Sequence, residues 1–253
     1  MVWQRVLLWV VTALPSVGWA APLHVLVDPY PPFIVQREAS VGGPYIDAFN
    51  ELVKSHGLTA ALESMPIRRA LKQAQTKPDT CVLGVNYVAA DAEVLLYVGR
   101  IAPVYVWAYS RQGANIHAST LAGLEHYSIG VVDIPEVRQL LEGAGLRYDY
   151  LPFNTQGLQM LRARRFDVLL SDIGPDLSGS HSGMGIDRLF LVTRVERWLA
   201  CNPGTDPASL AALRSALQEG LFAEQTRDIW TRYGLAAYFN QARKEWVTSG
   251  KPP

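Results

Sequence analysis

Residues 23–53 read LHVLVDPYPPFIVQREASVGGPYIDAFNELV. The opening LHVLV is an apolar run of strand length. DPYPPF is a stiff, aromatic turn, since proline fixes its own φ and restricts the residue before it. A Gly-Gly-Pro break then leads into YIDAFNELVKSHG, whose apolar residues recur at helical spacing. Strand, loop and helix in that order put the loop at the carboxyl end of a strand, where open α/β sheets hold small ligands.

The rest of the chain repeats this grammar. Residues 59–65 (TAALESM) predict a second strand, and Pro66 opens a helix with Ile67, Ala70, Leu71 and Ala74 on one face. CVLGVNYV, from Cys81, is apolar on both faces, as a covered parallel strand is. Residues 101–111 (IAPVYVWAYSR) form a long apolar, aromatic extended run. A second series follows. LAGLE predicts a short helix, YSIGVV a strand ending at Asp133, IPEVRQLLEGAG a helix, LRYDYLPF a strand, TQGLQMLRARR a helix and FDVLLSD a strand ending at Asp172. The Gly- and Ser-rich segment 176–187 reads as a loop that includes His181. DRLFLVTRVERWLAC is a further extended run, and two helices follow Pro207. The expected architecture is two α/β units joined by two extended crossings, near 103–107 and 194–198, with a ligand cleft between them.

Bulk properties set outer bounds. The chain has 253 residues, 49% of them hydrophobic, and a net charge of +0. That balance implies no polyanionic partner, and no basic patch points to nucleic acid. Met1 to Arg5 carries one Arg, and VLLWVVTAL behind it is a signal-peptide core, too short to span a bilayer. Gly18 and Ala20 supply the small residues of a cleavage site, so cleavage is expected after Ala20, with a short membrane anchor as the alternative. Export places the only cysteines, Cys81 and Cys201, in an oxidising compartment, where an isolated pair favours a disulfide over a metal site. No His lies at ligand spacing from either, and no metal or cofactor is expected.

Taken in order, several segments resemble the bacterial extracellular solute-binding proteins of family 3, whose best-known members bind amino acids in the periplasm. They are VDPYPPF, GGPYIDAFNELV, PIRRAL, DTCVLGV, LAGLEHYSIGVV, LRARRFDVLLSD, WLACNPGTDPASLAALRSAL and RDIWTRYG. The resemblance implies a two-lobed periplasmic-binding-protein fold of type II, each lobe a mixed or parallel sheet flanked by helices. It implies residues 1–20 as signal peptide, 21–104 with 197–240 as lobe one, 105–196 as lobe two, and 241–253 as a polar C-terminal tail. It also brings Cys81 near Cys201, in support of the disulfide.

The same resemblance nominates ligand contacts. Tyr30 is the first-lobe aromatic, with Phe33 second and Asp28 in the same loop; Asp28 reads equally as a turn cap. Asn86 and Tyr87 follow the third strand, and Asp172 matches the carboxylate that meets an α-amino group. The sequence departs from the family at the carboxylate clamp. Where amino-acid binders carry an Arg in a T-P-E-R segment, residues 88–94 read VAADAEV, with Asp91 and Glu93. Arg69 or Arg100 stands as a replacement fork. The anion-binding turn of the second lobe becomes Asp133-Ile134-Pro135-Glu136. These departures argue against an ordinary amino-acid ligand. The expected function is capture of a small polar organic molecule by a monomer and its presentation to an ABC transporter membrane component or a receptor. The rivals are an accessory or sensory protein with altered binding, and a lyase- or dehydratase-type enzyme using a cleft carboxylate.

Overall fold

The computed structural model describes residues 22–38, 40–151, 156–177 and 185–248. The expected signal peptide with its cleavage site at Ala20, and most of the Gly/Ser-rich segment with His181, lie outside the described residues.

The first half runs β1 (Leu23–Val27), β2 (Val35–Gln36), β3 (Val41–Gly42), α1 (Pro44–Ser55), β4 (Ala60–Ser64), α2 (Ile67–Thr76), β5 (Thr80–Asn86) and the short α3 (Ala89–Ala92). Next comes β6 (Leu96–Arg111), and then β7 (Ile129–Val132), α4 (Pro135–Gly143), β8 (Asp149–Leu151), α5 (Gly157–Arg162) and β9 (Val168–Ser171). The chain returns through β10 (Ile186–Cys201) and closes with α6 (Pro207–Ala216), α7 (Arg227–Arg232) and α8 (Ala236–Thr248). LAGLE forms a short helix of the 3-10 type, Ala122–Leu124.

Eight of these strands make one mixed sheet in the order β4-β1-β5-β10-β6-β9-β7-β8, and β2 and β3 pair in a small sheet of their own. β1 runs parallel to β4 and β5, and β7 runs parallel to β8 and β9. β7 (IGVV) and β9 (VLLS), apolar but for Ser171, are buried along their whole length, as strands covered on both faces are. β6 and β10, 16 residues each, pair antiparallel from Cys201↔Leu96 to Ile186↔Arg111. The segments expected as separate crossings therefore lie side by side in one ladder, with Glu196 opposite Pro103 and Arg194 opposite Tyr105. Pro103 is tolerated in mid-strand because its backbone faces away from β10. Its carbonyl accepts from the Tyr238 hydroxyl of α8 at 2.8 Å, so its missing N–H falls on the side that has no ladder partner there.

Two hydrophobic cores flank this shared ladder. One gathers Val25, Val27, Phe49, Leu199, Trp230 and Phe239, with α2 covering the opposite face of the same strands. The other gathers Val106, Val131, Leu141, Phe166, Leu169 and Leu170. The Cys81–Cys201 disulfide joins β5 to β10 at directly opposed positions. It spans 120 residues of sequence, a closure worth roughly 4–5 kcal/mol in the chain-entropy model.

The polar tail expected from residue 241 is corrected by α8, which continues to Thr248. Phe239, Ala242 and Trp246 recur at helical spacing and are buried in the first core. The Trp246 indole N–H donates to the Gln218 carbonyl at 3.0 Å. The charged residues between them hid this stripe. Among the described residues no helix is long and apolar enough to cross a membrane.

Candidate functional site

The loop after β1 is held rigid from within. The Tyr30 carbonyl accepts from the N–H groups of Phe33 and Ile34, and its own N–H donates to Ile34. Behind it, Phe33 is almost fully buried, with its ring 5.4 Å from that of Tyr30 and 4.7 Å from that of Tyr45. This stack presents the Tyr30 hydroxyl to the other half of the molecule, where it donates to Asp172 Oδ2. Asp172 stands just past β9, its side chain 2% exposed. Burial, with the Asp172 charge beside it, raises the Tyr30 hydroxyl well above the ordinary tyrosine range, so it remains a donor.

Arg197 completes the cluster from β10. Its Nη1 donates to Asn86 Oδ1, its Nη2 lies 3.8 Å from Asp172 Oδ2, and its guanidinium carbon sits 5.1 Å from the centre of the Tyr30 ring. Asn86 faces it because the β10–β5 register sets Arg197 opposite Asn86. Burial disfavours the Arg197 charge, but Tyr30 and Asp172 more than offset this and raise its pKa above the ordinary arginine value. Asp172 Oδ1 and Arg197 Nε are buried without hydrogen-bond partners among the described residues.

This cluster borders a cavity of about 610 Å³ between the two cores, within the size range of small-molecule sites. Strand ends and helix starts of both halves line it, including Asp28, Gly84, Asn86, Ile134 and Pro135. Tyr30 and Asp172 also border a smaller space of about 160 Å³ on their far side, walled by Phe33, Tyr105, Trp107 and Tyr238. The Tyr30–Asp172 contact thus partitions the cleft.

The expected contacts divide accordingly. Asp28, Tyr30, Asn86 and Asp172 converge on the larger cavity. Asp28 accepts a hydrogen bond from the Ile67 N–H at the start of α2; burial raises its pKa, and that bond partly counters the rise. Phe33 is the buttress behind Tyr30 and reaches only the smaller space. Tyr87 is 53% exposed and packs against Tyr97 and Trp198 outside the lining. Arg69 is exposed on α2 and borders neither cavity. Arg100 is committed elsewhere, 3.5 Å from Glu196 and over the Trp246 ring. Neither replacement fork therefore reaches the cleft, because both side chains leave their elements on faces turned from it. Arg197 was not anticipated. Its signal was a charge at the head of the apolar run WLAC, where a charge drawn into the sheet requires partners.

No family model and no curated protein sequence matches the chain. Solved structures share its fold. The GluR0 ligand-binding core in complex with L-glutamate superimposes with a TM-score of 0.69 at 12% identity, covering 85% of this chain and 99% of that one. A histidine kinase sensor domain with similarity to periplasmic binding proteins gives 0.65 at 15% identity, over 89% and 96%. An arginine transport-system periplasmic binding protein from Legionella pneumophila gives 0.64 at 16% identity, over 85% and 100%. The architecture, a mixed sheet flanked by helices, is that of periplasmic binding proteins.

Proposed function

We propose that this protein is an exported solute-binding protein that captures a small organic ligand between its two halves, each acting as a lobe. The observation that carries this reading is the set of buried Asp172 and partly buried Tyr30, Arg197 and Asn86, contributed by both halves and bordering the cavity between them. In this reading Tyr30 and Asn86 receive the ligand on the first lobe. Asp172 closes on it from the second, and the paired β6 and β10 flex. The closed form is what a membrane transporter component or a receptor would recognise. The kinship in fold with an arginine-transport binding protein and a sensor domain supports both kinds of partner without choosing between them.

Isothermal titration of the purified protein against the standard amino acids, di- and polyamines and dicarboxylates tests the reading. X-ray scattering should show compaction with each compound that binds. Absence of binding to every compound, with no compaction, would refute it. Intact-mass measurement of the exported protein checks the processing: removal of residues 1–20 is expected.

A further inference from the structure

The walls of the larger cavity restrict what it can hold, given the binding-protein reading above. Four carboxylates line it, Asp28, Asp91, Asp133 and Asp172, against one cation, Arg197. Arg138 meets Asp133 from outside the lining at 3.7 Å. Both ends of the Arg197 fork are engaged: one donates to Asn86, the other faces Asp172, and the flat face covers Tyr30, which leaves only the buried Nε without a partner among the described residues. A ligand carboxylate would meet a guanidinium whose two terminal nitrogens already face Asn86 and Asp172, and beyond it the remaining acidic wall. Bidentate capture needs a free fork. Asp172 gives the independent sign of a missing partner. It is almost wholly buried, it borders the cavity, and its Oδ1 has no hydrogen-bond partner among the described residues. A buried polar atom left so is costly unless something supplies a donor.

Apart from Tyr30 and Asn86, the remaining lining is apolar, with Ile34, Ile67, Leu71, Leu83 and Val132 among it. No group of His, Cys, Asp or Glu among the described residues is placed to hold a metal ion, so the carboxylates do not form a metal nest. We propose that the ligand is a small organic cation with an aliphatic body and no carboxylate, an amine or guanidine rather than an amino acid.

Agmatine and arginine make the discriminating pair, since they differ by the carboxylate alone. Titration calorimetry on the purified protein should find agmatine bound at least about tenfold more tightly than arginine, the scale of one charged contact. Asp91→Asn and Asp28→Asn should each weaken agmatine by a similar factor while the ligand-free melting midpoint is retained. If either variant fails to fold, the agmatine–arginine ratio on the unaltered protein decides. Arginine binding as tightly as agmatine, or tight binding of glutamate or succinate, overturns this assignment and leaves the solute-binding reading standing. Agmatine binding untouched by both substitutions also overturns it. If no compound of any class binds, both readings fall together.

Discussion

Asp172 and Arg197 show why the candidate site cannot be altered one residue at a time. Their side chains are 2% and 11% exposed, and the two lie 3.8 Å apart. The net worth of such a pair is small, because both charges have left water. Removing one partner is different, since the other stays buried and uncompensated. Arg197→Met should therefore destabilise the protein by about 3–5 kcal/mol, read from the urea midpoint. Asp172→Asn on that background should restore part of the loss, because the stranded charge is gone. Additive losses in the double-variant cycle would show that the two residues do not interact. The pair also marks where reading the chain alone stops. Asp172 and Tyr30 were legible because each closes a local strand-to-loop pattern. Their contact, 142 residues apart, was not, and neither was the Arg197–Asn86 bond across 111 residues. Those meetings depend on how β10 registers on β5, which no local period reports.

Among the elements, the strand–loop–helix unit at the N-terminus was readable because its cues are local and agree with one another. Its Gly-Gly-Pro break is more specific than a flexible linker. Gly43 sits at φ 108°, and a Cβ there would lie 2.5 Å from the Phe33 carbonyl oxygen. The Tyr45 N–H donates to that same oxygen at 3.2 Å, so the helix start and the aromatic turn share one tight junction. Gly42 has no positive φ, and its Cβ would meet only the mobile end of Arg37 at 3.0 Å. Gly43→Ala should thus cost roughly 1–3 kcal/mol from backbone strain alone and displace the Tyr30 loop. Gly42→Ala should be close to neutral. Denaturant unfolding of the two neighbours side by side checks this, and equal effects would contradict the junction. The C-terminal helix teaches the opposite lesson. Its charged composition concealed a sparse stripe of Phe239, Ala242 and Trp246, whose burial against the first core holds the helix in place.

At the scale of the whole molecule, two cores share one β6–β10 ladder along their common edge. Across the cleft, Tyr30–Asp172 and Arg197–Asp172 bridge them, and Glu245 of α8 adds contacts to Tyr105 and Arg194. A hydrogen bond to a charged group contributes roughly 1.5–3 kcal/mol. Carrying a two-state protein from mostly open to mostly closed takes about 5.5 kcal/mol of differential binding. The Tyr30 contact alone is too weak to lock the cleft, so under the proposed solute-binding function a bound ligand would supply much of the difference. Loss of this contact should therefore show mainly in the free protein. Tyr30→Phe keeps the ring stacked on Phe33 and removes only the hydroxyl. It should enlarge the radius of gyration of the ligand-free protein in X-ray scattering. Addition of a ligand found by titration should compact the variant to the dimension of the unaltered protein, at a higher ligand concentration. A variant whose free form scatters like the unaltered protein would mean that the Tyr30 hydroxyl does not bias closure. The balance would then rest on Arg197, the Glu245 contacts of α8 and the β6–β10 ladder.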